Sequence, residues 1–233
     1  MNTSFYTAAA GVISQQRGLE VTANNVANLS TDGYKPDRAV FADLVATNVR
    51  NSAPGLKTGH GDALWKTDTV FSSGGLRQTG RMQDYALVSD NAFFAVKDAD
   101  GAVRYTRNGS FRLSEQGDGS FLLCDSNGGK VLDGGGNPIV VKDGEEKQNV
   151  GVFSFRNRDG LRKAGGNDFD ATDVSGPAVP VRNAEVKQGY LEGSSAGLAD
   201  EIADMMAAQR AFEFNAKMVN ISDEVVQTLN SLR

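Results

Sequence analysis

From Leu198 to Arg233 the chain runs without a proline or a glycine. Leu198, Met205, Phe212, Val219 and Val226 recur every seven residues, and Ile202, Gln209 and Ala216 fall between them at the four-residue step. This is an a/d-like stripe along one face of a helix. Asp200, Glu201 and Asp204 crowd its first turns, where the helix dipole favours negative charge, with Ser194 or Ser195 placed to cap it. Such a helix would be roughly 50 Å long. That exceeds what a compact domain ordinarily uses, so the helix requires a partner.

The other end of the chain offers one. Phe5, Val12, Leu19 and Val26 also step by seven, with Ala9, Gln16 and Ala23 four residues after the first three. Arg17 and Glu20 are the only charged residues between Met1 and Ser30. Gly11 and Gly18, again seven apart, should each cost about 1 kcal/mol inside a helix, which predicts a close approach by another helix backbone. The helix should end near Asn28, because Ser30-Thr31-Asp32-Gly33 is turn chemistry and Pro36 forbids continuation. The two helices can pair with each other or with further chains. Their stripes are rich in Ala, Gly, Gln and Asn, and such thin seams favour further chains.

Between the helices the pattern changes twice. Residues 34–80 read as an extended connector, with an exposed loop from Asn51 to Asp62 around Pro54 and three glycines. From Arg81 short β runs alternate with turns: Tyr85–Val88, Phe93–Val96, Val103–Thr106, Ser110–Leu113, Phe121–Cys124, Lys130–Leu132, Ile139–Lys142 and Val150–Phe155. Asp100-Gly101 and Asn108-Gly109 sit where hairpin turns are needed. The fold class expected is α+β. A discontinuous, coiled-coil-like helical domain comes from residues 1–33 and 190–233, an all-β domain spans 81–175, and 34–80 and 176–189 connect them.

Composition excludes several functions. With 24 Lys plus Arg against 29 Asp plus Glu, the net charge of −5 argues against binding driven by nucleic-acid phosphates. The single cysteine, Cys124, excludes an internal disulfide and a cysteine-based metal knuckle, and reads as a small core residue. No segment has the apolar length to span a bilayer, and the N-terminus lacks the pattern of a cleaved signal peptide. His60 is the only histidine, so the usual zinc sets and Cys–His nucleophile pairs are out of reach. Gly128-Gly129-Lys130 lacks the spaced first glycine and the following Ser or Thr of a phosphate loop, and reads as a turn. Glu145 and Glu146 sit beside lysine in a polar turn and read as solvated. No enzyme activity and no cofactor are expected.

Three motifs carry a resemblance. Ala23-Asn24-Asn25-Val26-Ala27-Asn28, closely followed by Gly33-Tyr34-Lys35, resembles the N-terminal signature of the bacterial flagellar rod and hook proteins. Gly189-Tyr190-Leu191-Glu192-Gly193-Ser194-Ser195 is similar to their C-terminal signature, which commonly has Asn where this chain has Ser195. Ala208-Gln209-Arg210-Ala211-Phe212-Glu213 and Asn215-Ala216-Lys217 extend that match. Tyr105-Thr106-Arg107-Asn108-Gly109-Ser110-Phe111 resembles the family's internal β motif. The likeness is closest to the proximal and distal rod proteins, since hook subunits carry larger outer domains. The stretch from Val141 to Gly151 looks shorter than usual for rod proteins.

The resemblance implies a structural subunit of the basal-body rod, exported unfolded by the flagellar type III apparatus without a cleaved signal and located in the periplasmic part of the basal body. Its partners would be copies of itself, neighbouring rod and hook subunits, the export apparatus and the surrounding ring proteins, with no nucleic acid and no membrane insertion. Terminal helices would polymerise it into a helical tube that transmits torque, since heterologous contacts that do not close generate helical assemblies. The expected assembly surface comprises Phe5, Gly11, Val12, Gly18, Leu19, Asn24, Asn25, Val26 and Asn28 with Leu198, Ile202, Met205, Phe212, Val219 and Val226. The alternative is a secreted or surface adhesin-like binding module that reads its ligand through the β domain.

Overall fold

The computed structural model describes residues 3–48, 57–116, 119–141, 148–182 and 184–232. Two long helices bracket a chain of short strands, and the described strand pairings are antiparallel: an α+β fold with the β part inserted between the helices. The chain divides into two compact units, one of residues 1–27, 37–68 and 197–233, the other of 28–36 and 69–196.

The helical unit holds α1 (Thr3–Ala27) and α2 (Leu198–Ser231), which pack against each other. The length of α2 follows from its freedom from Pro and Gly and from Asp200 and Glu201 in its first turn. Its cap differs from the expected one. Gly197 is the N-cap and has no side chain with which to bond the first turn. Ser194 accepts from the amide of Ala196, while Ser195 donates to the carbonyl of Tyr34 at 3.4 Å, so both serines are engaged before the helix begins.

Residues 34–80 are not a featureless connector. They contain β1 (Asp37–Asp43), β2 (Thr47–Asn48), β3 (Lys57–Thr58) and β4 (Asp62–Thr69); β1 pairs with β4 and β2 with β3. Burial along β1 and β4 does not alternate, so the period of two that marks a half-buried strand is weak there. The core of the expected 51–62 loop, residues 51–56, lies outside the described residues, as do Glu145, Glu146 and most of the stretch that looked short.

The β unit contains β5 (Leu76–Gln78), β6 (Tyr85–Leu87), β7 (Phe93–Lys97), β8 (Val103–Thr106), β9 (Arg112–Glu115), β10 (Phe121–Cys124), β11 (Lys130–Val131), β12 (Val140–Val141), β13 (Val152–Ser154), β14 (Arg162–Gly165), β15 (Asp168–Asp170), β16 (Val179–Pro180), β17 (Val186–Gln188) and β18 (Tyr190–Glu192). Its main sheet runs β12-β10-β11-β7-β8-β15-β14, with β13 and β16 added on β7 and β9 on β10. One core gathers Tyr85, Leu87, Phe94, Phe111, Leu123 and Val131; a second is aromatic, built from Phe71, Phe93, Phe155 and Phe169 with Leu161. Cys124 is buried, as expected of a small core residue.

The limits of this unit correct the expected ones. It begins at residue 69 rather than 81, and it takes in 28–33 and 190–196, which the sequence reading gave to the helical domain, and 34–36, which it gave to the connector. Residues 176–189 are not a connector, because β16 and β17 pair with β13 and β6. Strands of two or three residues are too short to show alternation. Asp100-Gly101 joins the paired strands β7 and β8 as expected. Asn108-Gly109 does not make a hairpin, because β8 pairs with β7 and β15 while β9 pairs with β10. Gly109 is needed for closeness instead: a methyl there would lie 1.7 Å from the carbonyl oxygen of Tyr85.

Candidate assembly interface

On α1 the buried positions are Ala8, Gly11, Ser14, Gly18 and Asn25. On α2 the least exposed positions include Glu201, Met205, Ala208, Asn215 and Ser222, and only Ser222 is fully buried. Asn25 Nδ2 donates to Glu201 Oε1 at 3.0 Å, and the side chain of Asn215 lies against Gly11. As residue numbers rise on one helix they fall on the other, so the pair is antiparallel. The inner seam therefore runs from Gly11 against Asn215 to Asn25 against Glu201, in steps of seven on α1 that pass Gly18. It consists of small and polar residues.

This shifts the expected stripe by one position. Val12, Leu19 and Val26 are half-buried flanks of the inner seam, and Phe5 is exposed. On α2, Met205 and Val219 are half-buried, while Leu198 is 54% exposed, Ile202 44%, Phe212 36% and Val226 39%. Exposed Tyr6, Ile13, Met206, Phe214, Ile221, Val225 and Leu229 add to the apolar surface. Within the chain, Gly11 and Gly18 each meet a side chain and not the helix backbone expected there. A methyl at Gly11 would lie 2.7 Å from Asn215 Nδ2, and one at Gly18 would lie 2.9 Å from the Phe41 ring, a residue of β1.

The three asparagines play different parts. Asn25 is buried and copies a strand edge: its Nδ2 donates to the Asp37 carbonyl at 2.8 Å and its Oδ1 accepts from the Asp37 amide at 3.0 Å. With Glu201 it ties the end of α1 to β1 and to the start of α2. Burial raises the Glu201 carboxyl above the usual carboxylate range, the Asn25 bond opposing it. Asn28 terminates the helix, accepting from the Thr31 hydroxyl at 3.1 Å. Asn24 is exposed.

The β unit holds a site to which the sequence reading assigned no role. Glu192 Oε1 accepts from Lys35 Nζ at 2.6 Å and from the Gly74 amide at 2.9 Å, while Oε2 accepts from Arg107 Nε at 2.7 Å. All three side chains are at most 1% exposed. Lys35 also donates to the Ser72 carbonyl, and Arg107 Nη1 donates to the carbonyls of Ser89 and Ala92 at 2.8 and 2.9 Å. Burial pulls the Lys35 ammonium below its ordinary value, and Glu192 opposes that pull. The backbone is fitted to the set. Gly33 has φ +71°, and a methyl there would lie 2.6 Å from the Arg107 carbonyl carbon. Its amide donates to the Glu192 carbonyl at 2.7 Å. The signal was a charged residue inside each of three motifs otherwise made of turn and apolar residues.

No group of three or more His, Cys, Asp or Glu among the described residues is placed to hold a metal ion, and no described helix is long and apolar enough to cross a membrane. His60 lies half-buried between β3 and β4. The helical unit is assembled from both chain ends, and the antiparallel β unit is inserted in sequence between its two halves: this is the layout of the flagellar axial class of structural subunits.

Comparison with known proteins makes the class specific. Residues 5–35 match the family model "Flagella basal body rod protein", 87–155 match "Flagellar hook protein FlgE/F/G D1 domain" and 187–232 match "Flagellar basal body rod FlgEFG protein C-terminal". The chain is 32% identical to the flagellar basal-body rod protein FlgG of Bacillus subtilis, with both chains covered in full. It is 33% identical to FlgG of Agrobacterium fabrum over 96% of each chain, and 29% identical to FlgF of Mesorhizobium japonicum over 99% of each. The chain belongs to the flagellar basal-body rod protein family, a family of structural proteins and not of enzymes. The adhesin alternative finds no support in these matches. Each of the three matched segments supplies one member of the buried ion set: Lys35, Arg107 and Glu192.

Proposed function

We propose that this chain is a subunit of the basal-body drive shaft, polymerising through the outer faces of α1 and α2 into a helical tube that carries torque from motor to hook. The observation that carries this reading is the distribution of residue types on the two helices. The face they turn to each other is small and polar, while Ile202, Phe212, Phe214 and Val226 stay exposed. Burial of apolar surface stabilises by roughly 25 cal/mol per Å², so these exposed side chains favour further helices of the same kind. A coiled-coil-like seam between subunits would use Phe5, Val12, Leu19 and Val26 with Leu198, Ile202, Met205, Phe212, Val219 and Val226. Heterologous repetition of that contact builds an open tube.

The neighbours are then copies of this chain and other axial proteins of the rod and hook, with the surrounding rings outside. Delivery is by the flagellar type III apparatus, to the periplasmic part of the basal body. Electron microscopy of purified full-length protein tests the reading. Wild type should form rod-like polymers, alone or on a rod-protein seed, and Ile202→Ser with Phe212→Ser should abolish them while the circular dichroism of the β unit is unchanged. Normal polymers from the double variant would overturn the helix-face reading.

A further inference from the structure

We propose that Glu192 is a latch: the β unit completes its core only when the segment leading into α2 has joined it. Lys35, Arg107 and Glu192 meet in one dry site, and the anion comes last along the chain, 157 positions after Lys35 and 85 after Arg107. Until it arrives, closing the unit would bring two cations together out of water. Like charges in such a place oppose each other, and desolvation penalises both. Lys35 can escape by losing its proton, and burial already pulls it that way. Arg107 cannot, because a guanidinium stays charged under all folding conditions. The carbonyls of Ser89 and Ala92 satisfy one nitrogen of that group but not its charge. Asp90 feels both cations, yet it sits at the surface bonded to Ser73.

The latch reaches the core directly. Arg107 lies 6.0 Å from the centre of the Phe93 ring, and Phe93 stacks edge-on with Phe71, Phe155 and Phe169. Arg107 also follows β8, the central partner of both β7 and β15. A guanidinium left without its carboxylate therefore keeps the aromatic core and the middle of the sheet open. Glu192 closes both, while β18 zips onto β5 through Glu192↔Leu76, Leu191↔Arg77 and Tyr190↔Gln78. For a subunit delivered unfolded, such a latch holds the chain unlocked until its C-terminal segment has come through. That use rests on the proposed export route. The latch itself rests on the ion set alone.

Refolding of the full-length protein from urea, followed by pulsed hydrogen exchange and mass spectrometry, tests it. In wild type, amides of β7 and β8 should gain protection in the same kinetic phase as those of β5 and β18. Glu192→Gln should slow that phase by about tenfold or more. The triple variant Lys35→Met, Arg107→Met, Glu192→Met has no charge to wait for, so β7 and β8 should become protected before β18. Wild type that protects β7 and β8 in an earlier phase than β18 overturns the latch, as does a triple variant with unchanged order. If Glu192→Gln does not refold, wild type and triple variant still decide. Failure of the latch leaves polymer formation, and with it the rod reading, untouched.

Discussion

Glu192 holds the ammonium of Lys35 at 2.6 Å, joining residues that lie 157 positions apart in the chain. One belongs to the segment that leaves α1 and the other to the segment that leads into α2, so the carboxylate pins the two crossings of the β unit at one point. Removing one partner of a buried ion pair typically costs about 3–5 kcal/mol, because the other charge stays buried, whereas exchanging the whole set for apolar groups is often neutral. Glu192→Gln should therefore lower the unfolding free energy by an amount in that range, read as a lower urea midpoint at unchanged slope. The triple methionine variant should fall much closer to wild type. A midpoint for Glu192→Gln that matches wild type would show that the set is solvated.

Asn25 should be less tolerant than a polar residue on a helix ordinarily is, because it is buried. Its amide satisfies both backbone groups of Asp37 and one oxygen of Glu201. Asn25→Ala leaves the Asp37 amide and carbonyl without that partner, a loss of about 1–3 kcal/mol for each buried group that water cannot reach. Gln16→Ala, at an exposed position of the same helix, is the control. Limited proteolysis should open the β1–β4 hairpin in the first variant and not in the second. Equal cleavage of both would remove Asn25 from its tying role.

What the sequence revealed and what it hid follow from the range of each signal. The helices were legible because a long run without Pro or Gly is a local property, as was the series of short strands. The rotational phase of the helices was not. Apolar residues mark a face, and hydrophobicity alone cannot say whether that face turns toward the partner helix or away from it. Here glycine, serine and asparagine line the inner seam, and Val12, Leu19 and Val26 flank it. The β1–β4 pair gave only a weak signal because neither strand alternates in burial. Lys35, Arg107 and Glu192 stood inside the recognised motifs, but their meeting is a tertiary fact that no spacing encodes.

Asp168 supplies a pH signature for the β unit. It is buried on β15, and desolvation first, then the neighbouring Asp125, raises its pKa to about 6, with Thr106 and Arg104 opposing. The ordinary carboxylate value of the unfolded chain is about 3.9. Between these values the folded state binds more protons than the unfolded one, so this group's contribution to stability falls as pH rises from about 4 to about 6. Above that range the ionised carboxylate is a penalty of up to roughly 3 kcal/mol, absent once it is protonated. Asp168→Asn should raise the melting temperature at pH 7 and flatten its slope between pH 4 and 6. A wild-type slope unchanged by the substitution would mean that Asp168 titrates normally.

Gly11 gives the most discriminating test of the inner seam. In a solvent-facing helix, Gly→Ala stabilises by up to about 1 kcal/mol through helix propensity. Here the new methyl would lie 2.7 Å from Asn215 Nδ2 and 3.0 Å from its Cγ, so the Asn215 side chain must move. Overpacking at a contact costs typically 1–3 kcal/mol, which exceeds the propensity gain over most of its range. Gly11→Ala should therefore destabilise the helical unit, seen as a lower thermal midpoint at the helix band and faster amide exchange in α1 and α2. The obstacle is one side chain, so truncating it should restore room. Asn215→Ala alone should cost little, and Gly11→Ala with Asn215→Ala should recover the loss and keep the propensity gain. The interaction energy of this double-mutant cycle should then be favourable by about 1–2 kcal/mol. Additive effects of the two substitutions would mean that Gly11 and Asn215 do not face each other, and the antiparallel seam through Gly11, Gly18 and Asn25 would have to be redrawn.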